Sequence, residues 1–314
     1  MPMKLLKTQT ENETTIERRH HVKRYSLTLY KNLCVGCGIC KIICPREAIE
    51  IKTISKSNCG EKTQPPILDI SEVKCSYCGI CDAACPFGAL EVKIDGEHII
   101  PVIRTESFPQ LIREFEVDTT KCEVGCSECE EVCPLKLIKV RKLSSLQRAR
   151  EIIISRKNKD AKLKPIIEVE KDSCAGCRLC EMKCPQEAIH VRKIFYGIIK
   201  IKREKCPTGC QNCLDVCPIP GALYLSEDGK VHTNESYCVY CGTCKVVCPV
   251  EGALEFHRVF IRHTPVRSGA WNKAFEKLTS TRGLVKELST KSLTKARESV
   301  ERRLLSKGSR SDNG

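Results

Sequence analysis

The sequence predicts an α+β fold built from small repeated modules, and three observations predict it. One cysteine-rich unit recurs six times along the 314 residues. Short β-branched runs stand before and after the units, as strands would. Only three residues separate the last two cysteines of each unit, room for about one helical turn, and the Pro that follows ends it.

The units begin at Cys34, Cys75, Cys122, Cys174, Cys206 and Cys238 and read CVGCGICKIICP, CSYCGICDAACP, CEVGCSECEEVCP, CAGCRLCEMKCP, CPTGCQNCLDVCP and CVYCGTCKVVCP. The runs SLTLY, ILDI, FEV, IIEV and IIKI precede units, and AIEIK, ALEVK, LIKVR, AIHVR, ALYLS and ALEFH follow them. Each unit is thus expected to be a strand-loop-helix-strand module. Gly36, Gly38, Gly79, Gly125, Gly176, Gly209 and Gly242 lie beside the second cysteine of a unit, where the chain must turn sharply.

Composition says what holds such modules together. The chain has 25 Cys but only 5% aromatic residues and one Trp, so large side chains are not its main organiser. A disulfide framework belongs to short secreted chains behind a signal peptide, and the first residues, MPMKLLKTQTENETTIERRHHVKRYS, contain no continuous apolar segment. No stretch reaches the roughly 18 apolar residues of a membrane span. The expectation is a cytoplasmic protein with reduced thiols and no transmembrane segment.

Four units have the spacing C-x2-C-x2-C-x3-C-P, which in bacterial-type ferredoxins wraps three thiolates around a [4Fe-4S] cubane and sends the fourth to the other cluster of a pair. Units III and V carry one extra residue between their first and second cysteines and are read as cluster sites as well. Zinc sites instead draw C-x2-C pairs from separate places, and no His stands at ligand spacing apart from the adjacent His20 and His21. Cys59, outside every unit, reads as a free thiol. Six [4Fe-4S] clusters add roughly −12 to the formal +14, so a nucleic-acid partner is not expected. Residues 262–314 hold 13 Lys/Arg against 5 Asp/Glu and residues 1–24 hold 6 against 3, which leaves +3 between them.

The expected organisation is a basic polar tail (1–24), three tandem bacterial-ferredoxin-like βαββαβ domains of two clusters each (25–95, 112–195 and 196–261) and a basic helical tail (262–314). A helix is expected near 141–160, where Leu143, Leu146, Ala149 and Ile153 have helical spacing. Units IV and V would be joined by a tight hairpin around Phe195-Tyr196-Gly197, and V and VI by a turn at Glu227-Asp228-Gly229. Consecutive pairing with crossed ligation gives six quartets: Cys34, Cys37, Cys40 with Cys85; Cys75, Cys78, Cys81 with Cys44; Cys122, Cys126, Cys129 with Cys184; Cys174, Cys177, Cys180 with Cys133; Cys206, Cys210, Cys213 with Cys248; and Cys238, Cys241, Cys244 with Cys217. The short IV–V connection leaves open a nested order, with one domain inserted in another.

Fully thiolate-ligated cubanes pass one electron at a time. No nucleophile-base pair, dinucleotide fingerprint or phosphate loop accompanies them, so the expectation is an electron carrier without catalytic residues of its own. Trp271, Ala274, Phe275 and Leu278 fall at helical spacing among Lys and Arg. That pattern suits either a docking helix or a helix packed on its own domain.

With its six quartets ending in Cys-Pro through residues 34–254, the chain resembles the polyferredoxins of methanogenic and related archaea. Helped by the tail HTPVRSGAWNKAFEKLTS, it is most similar among them to the polyferredoxin subunits of formylmethanofuran dehydrogenase, of which a known member carries eight clusters rather than six. The resemblance implies low-potential electron transfer to or from a tungsten or molybdenum enzyme interconverting carbon dioxide and formylmethanofuran, with its catalytic subunits, and other electron donors, as partners. Rival readings are a component of an energy-converting hydrogenase, a freely diffusing carrier, and a zinc-stabilised nucleic-acid binder.

Overall fold

The computed structural model describes residues 4–20, 22–52, 63–123, 125–141 and 165–280, with scattered positions between 285 and 299. Cys59 and the helix expected near 141–160 fall outside these residues, apart from Arg141, which ends a strand.

Strand pairing groups the units two by two. In the first pair, β3 (Lys23–Tyr30) precedes unit I and pairs antiparallel with β6 (Leu90–Ile94), which follows unit II. Between them β4 (Ile49–Lys52) pairs with β5 (Ile67–Ile70). The helical turns α1 (Ile39–Ile43) and α2 (Ile80–Ala83) carry the third cysteines. After β7 (Glu97–His98), the short helix α3 (Pro101–Arg104) begins on Pro, whose missing N–H costs nothing there.

Units III and IV repeat the plan. Here β8 (Phe115–Val117) pairs with β11 (Ile189–Val191) and β9 (Ile138–Arg141) with β10 (Ile166–Val169), around α4 (Glu128–Val132) and α5 (Leu179–Lys183). In units V and VI, β12 (Phe195–Ile201) pairs with β15 (Leu254–Ile261) and β13 (Leu223–Leu225) with β14 (Val231–Thr233), around α6 (Asn212–Asp215) and α7 (Thr243–Val247). The turn between β13 and β14 closes with Gly229 N–H donating to the Ser226 carbonyl at 3.0 Å, at the place read from Glu227-Asp228-Gly229.

Two expectations are corrected. The segment read as a polar N-terminal tail supplies β1 (Lys4–Gln9) and β2 (Glu13–His20), which extend the first sheet in the order β1-β2-β3-β6-β7. Thr14 and Ile16 are its buried positions, two residues apart as a strand with one covered face requires. The basic residues around them are matched: Arg19 and Arg24 pair with Glu17, and Lys7 Nζ lies 2.7 Å from Asp69. The hairpin expected around Phe195-Tyr196-Gly197 does not form, because β11 is paired with β8 and β12 with β15; Tyr196 and Gly197 instead lie within β12, where the register with β15 shifts past Val259.

The C-terminal helix α8 (Gly269–Leu278) is present at the predicted spacing, but its apolar face covers its own chain. Ser268 Oγ caps it by accepting from Ala270 N at 3.1 Å, and Trp271, Ala274, Phe275 and Leu278 are buried. Trp271 packs edge-on against Phe108 from the linker, with ring centroids 4.9 Å apart, and against Phe275 at 5.5 Å.

The unit pairs share their cores. Ile16, Leu27 and Phe87 of the first sit in one apolar cluster with Leu179 of the second and Ile219 and Val239 of the third. A second cluster joins Ile39 of the first pair to Phe195 and Ile261 of the third and to Trp271. Trp271→Ala removes a side chain that bridges linker, helix and third pair. It should cost about 3–5 kcal/mol, the usual loss for emptying a buried aromatic site. The check is the temperature at which the oxygen-free protein loses its visible absorbance, which should fall well below that of the unsubstituted chain.

Candidate iron–sulfur sites

Each loop is shaped by left-handed backbone around its second cysteine. In the four units of ordinary spacing both neighbours of that cysteine are left-handed: Gly36 and Gly38, Tyr77 and Gly79, Gly176 and Arg178, Tyr240 and Gly242. The widened units solve the turn differently. There Gly125 (φ +95°) and Gly209 (φ +80°) precede the second cysteine, while Ser127 and Gln211, just before the helices, have φ of −127° and −122°. The extra residue thus takes up one of the two reversals, and the third and fourth cysteines keep their places on a helical turn and its end.

A further left-handed residue follows each Cys-Pro, at Glu47, Gly88, Lys136, Glu187, Gly221 and Gly252, and returns the chain from helix to strand. In the first four units this return points a main-chain N–H at the fourth sulfur: Ala48 to Cys44 at 3.4 Å, Ala89 to Cys85 at 3.3 Å, Leu137 to Cys133 at 3.4 Å and Ala188 to Cys184 at 3.3 Å. Tyr77 N and Tyr240 N donate likewise to Cys75 and Cys238 at 3.4 Å. Bonds of this kind favour the thiolate over the thiol.

Thiols of paired units act on one another as well as on their own neighbours. Burial, with the Cys85 thiol opposite, pushes Cys34 up to about 11; Cys40 is raised by burial and by Cys37, Cys81, Cys85 and Cys34. Cys75 and Cys81 are raised by burial with Cys78 and Cys44 beside them. Cys122 faces Cys126 and Cys184, and Cys129 faces Cys126 and Cys122. Cys174, Cys177 and Cys180 all face Cys133. Cys213, pushed up to about 12 by burial, faces Cys210, Cys248 and Cys206; Cys217, also raised to about 12 by burial, faces Cys241 and Cys238, with Cys244 alongside.

This donor set fits iron–sulfur cubanes: four cysteines per unit, main-chain N–H groups turned towards sulfur, and a crowding of ionisable thiols that a positively charged iron core would relieve. Thiols of different units also act on one another: Cys81 raises Cys40 within the first pair, Cys213 raises Cys244 within the third, and Cys241 of the third pair raises Cys37 of the first.

Gly36 is the tightest point of the first loop, since a Cβ there would lie 2.7 Å from Cδ and from the carbonyl oxygen of Pro66. Gly36→Ala should therefore cost more than the roughly 1–2 kcal/mol of left-handed backbone alone. Gly96→Ala, equally left-handed but with nothing within 4 Å, should cost only that. Thermal loss of visible absorbance in the two variants compares them, and equal losses would remove Pro66 from the argument.

Known proteins bear on these sites directly. The 4Fe-4S dicluster domain family matches residues 33–89, a second dicluster family matches 74–138, and the 4Fe-4S binding domain family matches 167–190. The polyferredoxin-like subunit of aliphatic sulfonate oxidoreductase from Pyrococcus furiosus is 33% identical over 87 residues, covering 24% of this chain and 49% of that protein. The polyferredoxin protein MvhB of Methanothermus fervidus is 32% identical over 124 residues, covering 37% of this chain and 24% of that one. The chain therefore spans half or less of these two relatives.

A chain in the formate dehydrogenase–heterodisulfide reductase–formylmethanofuran dehydrogenase complex from Methanospirillum hungatei superposes with a TM-score of 0.73 at 31% identity, over 88% of this chain and 92% of its own length. Repeated ferredoxin-type cysteine units, multiple [4Fe-4S] clusters and near full-length likeness to a chain of an oxidoreductase complex make this chain a member of the archaeal polyferredoxins.

Proposed function

We propose that the chain carries low-potential electrons through six [4Fe-4S] clusters to or from the catalytic subunits of a formylmethanofuran dehydrogenase complex in the cytoplasm, and performs no catalysis itself. The observation that carries this reading is the folding of six four-cysteine units, 24 cysteines in all, into strand-paired twos that share their apolar cores. In this reading the three pairs are βαββαβ ferredoxin domains at 25–95, 112–195 and 196–261. The partner is proposed from the likeness to a chain of the Methanospirillum complex. Among the described residues no helix is long and apolar enough to cross a membrane.

When bound, each cluster supplies a one-electron couple. The chain's own part is to hold the thiolates, keep water from the cubanes and bring neighbouring quartets close. Cys40 and Cys85 would serve one cluster and Cys44 the other of the first domain, which sets up a sharp comparison. Cys40→Ala/Cys85→Ala should lose one cluster, about four iron per chain, whereas Cys40→Ala/Cys44→Ala should lose two, about eight. The reverse result would mean that each unit ligates its own cluster.

Iron and acid-labile sulfide of the oxygen-free, unsubstituted chain should each approach about 24, with spin-coupled cubane signals after reduction. A value near 16 would leave the widened units III and V empty. Copurification of the tagged chain with formylmethanofuran dehydrogenase catalytic subunits tests the partner, and recovery with hydrogenase subunits instead would replace it.

A further inference from the structure

Among the described residues two charged side chains are buried, Lys193 at 7% exposure and Arg258 at 5%. Neither forms an ion pair with a carboxylate there. A buried cation without an anion is among the more costly arrangements in a protein interior. Both are placed alike: each donates to the main-chain carbonyl of a cluster-site cysteine and faces a cysteine of another domain.

Arg258 donates through Nε to the Tyr240 carbonyl at 2.8 Å, through Nη2 to the Cys241 carbonyl and through Nη1 to the Leu278 carbonyl at 3.5 Å. Its guanidinium lies over the Phe256 ring at 4.9 Å and the Phe195 ring at 5.5 Å. Burial lowers its pKa, opposed by Cys37 of the first domain and by Cys241, Cys244 and Cys238 of the third. Lys193, at the end of the second domain, donates to the Cys238 carbonyl at 2.9 Å and to the Glu235 carbonyl, beneath the Tyr240 ring at 5.2 Å. The Glu235 carboxylate is itself taken by Tyr240 Oη at 2.8 Å. Burial lowers the Lys193 pKa and Arg178 adds to the shift, while Cys238, Glu235 and Cys177 oppose it.

The third boundary has a counterpart. Arg113, at the start of the second domain, donates to the Cys85 carbonyl of the first at 2.7 Å, and Cys85, Asp172 and Cys174 act on it. Thus Arg113 stands between domains one and two, Lys193 between two and three, and Arg258 between three and one. Carbonyl dipoles answer only part of these charges. A cubane with four thiolates is a net anion and gains one more negative charge on reduction, so a cation lying between two such sites attracts the electron on either side.

We propose that Arg113, Lys193 and Arg258 are the counterions of the three domain boundaries, each stabilising the reduced form of the two clusters that flank it so that an electron crosses between domains without leaving the same cation. The step moves one electron from one quartet's cluster to the next, with no proton transferred and no bond made or broken. The proposal rests on the quartet assignment of the proposed function.

The test replaces each cation by Met in the full chain, with Lys193→Arg and Arg258→Lys as charge-keeping counterparts, and follows the clusters by EPR in a redox titration after iron analysis. Removing a positive charge disfavours the extra electron. The Met variants should therefore shift the reduced-to-oxidised ratio of the flanking clusters at least about tenfold towards oxidised, a fall of about 59 mV for a one-electron couple. The charge-keeping variants should titrate as the unsubstituted chain does. Met variants with full iron and unchanged potentials would overturn the proposal, as would charge-keeping variants that shift just as far. If Arg258→Met fails to assemble, Lys193→Met decides alone. Iron far below about 24 in the unsubstituted chain would strike the quartet assignment itself and is read before any potential.

Discussion

Turning three cysteines held within a stretch of seven or eight residues towards one cofactor is the constraint on which the rest of this molecule depends. In the units of ordinary spacing, side chains that short converge because the backbone reverses on either side of the second cysteine, hence the left-handed positions there. The third cysteine then needs a helical turn and the fourth needs that turn to stop, which Cys-Pro supplies. Strands before and after each unit anchor the loop ends. The two widened units keep only the left-handed Gly before the second cysteine, and their extra residue takes the place of the reversal after it.

The same constraint explains why the apolar cores are not separate. A small domain that gives its centre to cofactor loops has little volume left for large side chains, and its stability must come partly from neighbours. Leu179, Ile219 and Val239 join the first domain's core from the other two, and α8 adds the only Trp of the chain where the linker meets the third domain. Close packing of the unit pairs brings thiols of different pairs within electrostatic reach of one another, as Cys241 acts on Cys37. The buried cations belong to these boundaries and to no single domain.

Much of this was legible in the one-dimensional pattern. Cysteine spacing and Cys-Pro located all six loops, because a thiol loop is a local device whose length and turn residues are written consecutively. The β-branched runs located eleven of the strands for the same reason, and Trp271, Ala274, Phe275 and Leu278 located a helix. The N-terminal strands escaped because Thr14 and Ile16 are a two-residue signal inside a charged stretch, and those charges find partners only across the sheet, as Lys7 finds Asp69. The hairpin assigned to Phe195-Tyr196-Gly197 failed because a short connection does not oblige its flanking strands to pair with each other.

Sequence by itself determined the cofactor chemistry, since thiolate number and spacing are intrinsic to each loop, and the family matches read the same loops. It did not determine which units face each other: one dicluster match spans units I and II and another spans II and III, so the linear pattern tolerates either partner for unit II. Strand pairing settles that choice, because β3 reaches past two units to β6 and no local spacing encodes a contact so remote. Only the tertiary structure decided that α8 turns its apolar face inward, and that Lys193 and Arg258 lie buried beside cysteines of two domains. A charge becomes buried through what distant segments place around it, and that property belongs to the folded arrangement alone.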